Sequence, residues 1–331
     1  MTGWRARAHL IPISVAVLTI VVPGGLALAS ERNPADRLFD RARHAVHAYE
    51  FSGSVRIWWR DASGGHKTTV SVDARHGALD IGDGRIVHER GRAWMRSDRR
   101  WITLWGEQGD VASPSVSPKY RVSSEPGPVV LERATDRLSV RRHGRPVEIV
   151  DFDRETGVVL RRNRFDGSGV SDLGMEFVSL KGLRRREGPD RAAVGFASAD
   201  LGRRSEVPSA AIRSLGQGFR LIEARSMSGQ ATQLRYSDGV FEASVFSRPG
   251  ATDWKGLPRG GSDVWYSAVR ARRYRTPAGT VLVWQVGDRT LTCVTDATAS
   301  DQAAMLATLS REHEGLWTSL TRFVSSPFHW K

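Results

Sequence analysis

Short runs of alternating apolar and polar residues, each closed by a turn containing Gly or Asp, fill most of this chain and point to antiparallel sheet. Val55, Ile57 and Trp59 alternate with Ser54, Arg56 and Trp58, and successive residues of a strand face opposite sides of a sheet. Comparable runs span 68–73, 85–89, 92–96, 101–105, 137–141 and 147–152. Asp153 to Gly157 then turns the chain into a strand at 158–165, and Asp166-Gly167 leads to another at 175–180. Strands this short, joined this way, are not βαβ units. One amphipathic helix precedes them. Asn33 caps it, Pro34 sits in its first turn, and Leu38, Phe39, Ala42, Val46 and Tyr49 recur at three- and four-residue spacing up to Glu50. The expected fold class is α+β, with a curved antiparallel sheet around this helix.

A second meander follows at 219–224, 231–236, 240–246, 264–269, 281–286 and 291–295, with tight turns at Ser237-Asp238-Gly239 and Gly287-Asp288. Ser300 is then expected to cap a helix that lines one face with Ala303, Leu306, Ala307, Leu309 and Ser310. This makes a smaller antiparallel sheet with one helix. The tail at 316–331 has four aromatic residues and no clear period. Between the two meanders apolar residues thin out and Arg184, Arg185, Arg186, Glu187, Asp190 and Arg191 crowd together. That stretch reads as an interdomain joint, or alternatively as a long solvated hairpin within one domain. The expected division is a first domain at 30–182, a linker at 183–212 and a second domain at 213–331.

The first 29 residues read as an address. Arg5 and Arg7 precede an apolar stretch from Leu10 to Val22, and Ala27-Leu28-Ala29 has the small-x-small pattern a signal peptidase accepts. Cleavage is expected after Ala29. The apolar stretch is shorter than the ~20 residues a membrane-spanning helix needs. Extracytoplasmic localisation follows, periplasmic or secreted into the cell envelope. Removing Arg5 and Arg7 lowers the net charge of +13 to +11.

Chemistry is constrained by what the chain has to offer. Cys293 is its one cysteine, which excludes an internal disulfide, Cys-based zinc clusters and CxxC redox pairs. Of 49 basic residues five are lysine, leaving 44 arginines spread along the chain among acids. That distribution suits an anionic surface better than a specific nucleic-acid site. No GxxxxGK[ST], GxGxxG or GxSxG motif is present, and no cofactor or metal is expected. His44 and His47 stand three apart on the opening helix without a third ligand, and His313-Glu314 lacks a second histidine four residues after the first. Asp151 and Asp153 alternate along a strand end, as a glycosidase pair does, but turn-flanking aspartates are common. A binding protein is expected, and no catalytic residue is assigned.

The aromatic residues are the best binding candidates. Trp58, Trp59, Trp94, Trp101 and Trp105 fall within the first sheet, and simple alternation puts Trp101, Thr103 and Trp105 on one face. Trp59, Trp94, Trp101 and Trp105 on a concave sheet could bury an acyl chain or an apolar peptide; the alternative is that the rings pack on the opening helix.

The stretch Gly218-Phe219-Arg220 through Arg235-Tyr236-Ser237-Asp238-Gly239-Val240-Phe241-Glu242-Ala243-Ser244-Val245-Phe246 resembles the second domain of the MucB/RseB family of periplasmic regulators of the sigma-E envelope-stress response. Asp153-Arg154-Glu155-Thr156-Gly157-Val158-Val159-Leu160-Arg161 resembles a hairpin of the family's first domain, and the order of signal peptide, larger domain, linker and smaller domain agrees. The resemblance implies a first domain with the unclosed-barrel fold of the lipoprotein carriers LolA and LolB. It also implies a partner, the extracytoplasmic segment of a transmembrane anti-sigma factor, which is shielded from proteolysis and released when an amphiphilic lipid binds. On this reading Arg184, Arg185, Arg186, Tyr236 and Phe241 are candidates for the partner site. A lipid or lipoprotein carrier of the envelope remains the alternative. A secreted hydrolase of unfamiliar type is a further reading.

Overall fold

The computed structural model describes Arg41, Ala45 and most of residues 48–311, apart from 106–115, 187–211 and several turn residues; of 76–105 it describes strand backbone only. The predicted signal segment, most of the opening helix with His44 and His47, and the tail beyond Arg311 with His313-Glu314 lie outside the described residues.

Two antiparallel sheets account for the strands. The first contains β1 (Tyr49–Asp61), β2 (Gly64–Arg75), β3 (Ala78–Ile81), β4 (Gly84–Glu89), β5 (Arg92–Ser97), β6 (Arg100–Trp105), β7 (Arg121–Pro126), β8 (Thr135–Arg142), β9 (Arg145–Asp153), β10 (Val159–Phe165) and β11 (Ser171–Arg185). Its order is β6-β5-β4-β3-β2-β1-β11-β10-β9-β8-β7, an open sheet in which the first and last strands meet in the middle. The second contains β12 (Arg220–Ser226), β13 (Thr232–Ser237), β14 (Glu242–Pro249), β15 (Ser262–Tyr266), β16 (Val269–Thr276), β17 (Gly279–Val286) and β18 (Arg289–Thr295), followed by helix α1 (Ala299–Arg311). Its order is β12-β13-β14-β18-β17-β16-β15. The fold is α+β, with neither sheet closed into a barrel.

Alternation explains the core of the first sheet. Val55 and Ile57 are fully buried while Arg56 between them is exposed, and Phe51 meets Phe177 edge-on at 5.8 Å. Helical backbone reaches Ala48, and strand begins at Tyr49. The buried Ala45 and the Arg41 guanidinium, which donates to the Arg154 carbonyl at 2.6 Å, seat this helix end against the β9–β10 turn. Gly157 of that turn lies at φ +79°, and a Cβ there would press on Arg41. Only glycine meets both demands cheaply.

Several sequence expectations needed correction. The run 264–269 is not one strand: β15 ends at Tyr266 and β16 starts at Val269. The β16 sequence VRARRYRT carries little apolar alternation, because four of its eight residues are arginine. Strands β3 and β7 were also missed, β7 because RVSSEP is mostly exposed. Strand β11 continues through Arg185, so the first three residues of the expected linker belong to the sheet. Helix α1 is capped by Thr298 rather than Ser300. The Thr298 hydroxyl donates to the Asp301 carboxylate at 2.6 Å and accepts from the Asp301 N–H at 3.4 Å, the side-chain bond of an N-cap. The inner face of α1 is Gln302, Met305, Leu306, Leu309 and Ser310, with Ala303 and Ala307 half-buried at its flank.

Candidate functional site

The most elaborate chemistry lies where the two sheets meet. Asp238, in the tight turn between β13 and β14, is fully buried. Its Oδ1 accepts the N–H groups of Val240 and Phe241 at 3.0 and 2.8 Å, which shapes the turn. Its Oδ2 faces the first sheet, accepting from Tyr120 Oη at 2.8 Å and Lys119 Nζ at 2.7 Å, while its carbonyl accepts the Ser117 N–H at 2.8 Å. Lys119 also reaches Asp301 at 3.1 Å, which Arg142 of β8 contacts at 2.9 Å. Burial and the nearby carboxylates of Asp238 and Asp301 push the Tyr120 phenol far above its ordinary range, so it remains a donor. Its ring meets Phe241 edge-on at 6.0 Å.

A second clamp joins β9, β10 and β11 to the end of β18. Arg162 grips Glu148 with two nitrogens at 2.6 and 3.1 Å and reaches Asp296 at 3.2 Å. Arg164 grips Asp172 at 2.9 Å through two nitrogens and donates to the Asp296 carbonyl at 2.8 Å. Asp296 Oδ1 accepts the Glu242 N–H at 2.9 Å. Burial pushes the Asp296 carboxyl up to about 6 against the opposing pull of Arg162. The segment from Asp296 to Asp301 therefore latches both clamps to the first sheet. Buried ion pairs fix geometry more than they add stability, because desolvation offsets much of their attraction. Their groups are readily rehydrated once separated, so a polar joint opens more easily than an apolar one of equal area.

The predicted site residues are dispersed. Trp59 is half-buried on β1 and stacks on His66 at 5.2 Å. Trp94, Trp101 and Trp105 lie on β5 and β6, with three strands between β5 and β1; their side chains are outside those described. The pairing slips by one between Trp94, opposite Thr103, and Ala93, opposite Trp105. Simple alternation therefore does not carry the shared face through to Trp105. Arg184, Arg185 and Arg186 stand at the end of β11; Arg184 pairs with Glu50 at 3.0 Å, and the Arg186 N–H donates to the Ala48 carbonyl. Tyr236 and Phe241 are fully buried, and Phe241 packs on Tyr120 across the joint.

Asp151 is held by Arg137 and Arg161, each at 2.7 Å, and Asp153 by Arg133 and the Thr156 turn, so both carboxylates are engaged in ion pairs. Burial tends to raise Asp153, but Arg133 and Thr156 hold it below the usual range. A cluster the sequence reading missed is Asp61, Ser63 and His66 at the β1–β2 hairpin, where one ring nitrogen, Nε2, faces both Asp61 at 2.9 Å and Ser63 at 3.0 Å. A catalytic relay uses both ring nitrogens, so this arrangement does not build one. Among the described residues no group of His, Cys, Asp and Glu could hold a metal, and no helix is long and apolar enough to cross a membrane.

No family model matches the chain, and no curated protein does. Solved structures do. MucB in complex with MucA(peri) matches at 18% identity and a TM-score of 0.43, covering 83% of this chain and 97% of that one. The Pseudomonas aeruginosa MucA/MucB complex matches at 17% and 0.42, covering 82% and 98%. A LolA superfamily protein from Nitrosomonas europaea matches at 8% and 0.19, covering 80% and 93%. The chain is thus distantly similar to MucB and to LolA-like proteins.

Proposed function

We propose that this protein is an extracytoplasmic receptor for the external segment of a transmembrane anti-sigma factor, which it shields from proteolysis and releases when an envelope amphiphile binds the first sheet. The observation that carries this reading is the position of Asp238. It lies in the hairpin that resembles the MucB/RseB family, and its turn is the socket into which Ser117, Lys119 and Tyr120 of the first half plug. A ligand that distorts the first sheet can therefore pull on the second through the Lys119–Asp238 and Arg162–Asp296 clamps. Two ligands that favour different settings of one joint weaken each other's binding by the same factor.

The test is a pull-down of residues 30–331 against the extracytoplasmic segments of membrane anti-sigma factors from the same genome, with and without anionic lipid. Capture of one segment, reduced by lipid, is expected. Lipid copurifying with no captured segment would replace the receptor reading with the carrier one.

A further inference from the structure

Strand β16 divides its four arginines between two faces. Register puts Arg270 and Arg272 on the outer face with Trp265 and Asp263, and Arg273 on the inner face with Ser262 and the fully buried Leu282. The outer pair shares one carboxylate, since Asp263 contacts Arg270 at 2.6 Å and Arg272 at 2.5 Å. The inner pair has no carboxylate of its own among the described residues. Arg275 reaches only as far as Asp172, at 3.4 Å, an acid already gripped by both nitrogens of Arg164. Burial pulls Arg275 below the usual guanidinium range against the opposing charge of Asp172, with the charges of Arg273 and Arg164 adding to the fall. Arg273 Nε is buried and has no hydrogen-bond partner among the described residues.

Beside these arginines lies β15, the last strand of its sheet, whose outer edge pairs with no strand among the described residues. Exposed edges of this kind are usually covered or blunted. Here the edge instead carries Trp265, 66% exposed. Ser262 and Trp265 are three residues apart and face opposite sides.

We propose that an extended acidic segment of a partner polypeptide adds to the outer edge of β15, with a carboxylate on the inner face paired to Arg273 and an apolar residue three positions away covering Trp265. The added strand would lie about 10 Å from β16, two strand spacings. The small Ser262 side chain leaves that gap for an arginine and a glutamate to bridge. Main-chain hydrogen bonds along the edge favour a polypeptide, and the planar guanidinium favours a carboxylate. The inference rests on the receptor reading only in taking the partner to be a polypeptide.

An array of ten-residue peptides of random sequence, probed with fluorescently labelled residues 30–331, tests it. Bound peptides should be enriched in Asp or Glu three positions from Leu, Ile, Val or Phe, and Arg273→Gln should weaken them at least tenfold. Ser262→Glu, which places a carboxylate directly opposite Arg273, should abolish binding while leaving the melting temperature unchanged or higher; this separates loss of the site from loss of folding. The proposal is overturned if no peptide binds, if bound peptides show no acidic enrichment, or if both variants bind like the parent. It is also overturned if anionic phosphatidylglycerol vesicles, and not peptides, are what Arg273→Gln loses. A failed anti-sigma pull-down alongside a positive array would sink the receptor reading and leave the edge site standing; the reverse result would leave a receptor that binds elsewhere.

Discussion

Replacing Asp238 with alanine should show how much the joint depends on one side chain. The substitution deprives three buried donors, the Tyr120 hydroxyl and the Val240 and Phe241 amides, of their acceptor, and takes from Lys119 one of its two carboxylates. Each buried group left unpaired costs roughly 1–3 kcal/mol. Water entering the opened site and the surviving Lys119–Asp301 pair recover part of this, so the net loss should be about 3–5 kcal/mol, in line with removing one partner of a buried ion pair. Asp238→Asn keeps an oxygen for the turn amides but turns a donating NH2 toward the Tyr120 hydroxyl and Lys119, so it should lose less than alanine, about 2–3 kcal/mol. Urea unfolding of residues 30–331 followed by tryptophan fluorescence reads both values. A Lys119→Met, Asp238→Asn double-mutant cycle then isolates the pair. A loss below about 1 kcal/mol for Asp238→Ala would refute the argument that this carboxylate organises the joint.

Other consequences are separately measurable. Asp296 is raised by burial to about 6 from an ordinary 3.8, so its protonated form is favoured by folding; the stability this supplies is complete below about pH 4 and is lost as pH rises through 6. The stability of the parent relative to Asp296→Asn should accordingly fall by about 3 kcal/mol between pH 3.5 and 7, and a flat difference in urea midpoints would contradict the assignment. Leu131 and Glu132 both sit at positive φ, 49° and 61°, in a two-residue turn closed by reciprocal Val130–Arg133 bonds. Leu131→Asn with Glu132→Gly suits such a turn and should add about 1–2 kcal/mol, visible as a higher melting temperature. A Cβ on Gly174 would overlap the Trp58 ring, so Gly174→Ala should cost about 1–3 kcal/mol and shift tryptophan emission. Burial pushes the Cys293 thiol up to about 12, and it should react with Ellman's reagent only after unfolding.

What the sequence revealed follows from how far apart the interacting residues lie. Strands β1, β9 and β10 could be read because Val55-Arg56-Ile57 and their counterparts alternate locally, and the Asp153 to Gly157 turn carries its own glycine. Strand β16 could not, because its burial signal reduces to Ala271 among arginines. The cap lies at Thr298, two residues before Ser300, although serine is the better capping residue; the Asp301 contact decides between them. The joint left no trace in any local window: Lys119 and Asp301 are 182 positions apart, and Tyr120 and Asp238 are 118 apart. Asp238 read as an ordinary turn aspartate, which it is on its Oδ1 side; its Oδ2 side depends on residues folded from the other half of the chain. Tyr236 and Phe241 flank that turn in the sequence, but that both are fully buried depends on the folded sheet.

If two ligands compete through the setting of one joint, calorimetric titration of the captured anti-sigma segment into residues 30–331, alone and saturated with anionic lipid, will show it. Lipid should weaken the segment's binding about 5- to 150-fold, and Asp238→Asn should shrink this factor. Equal affinity for the segment with and without bound lipid would rule the competition out.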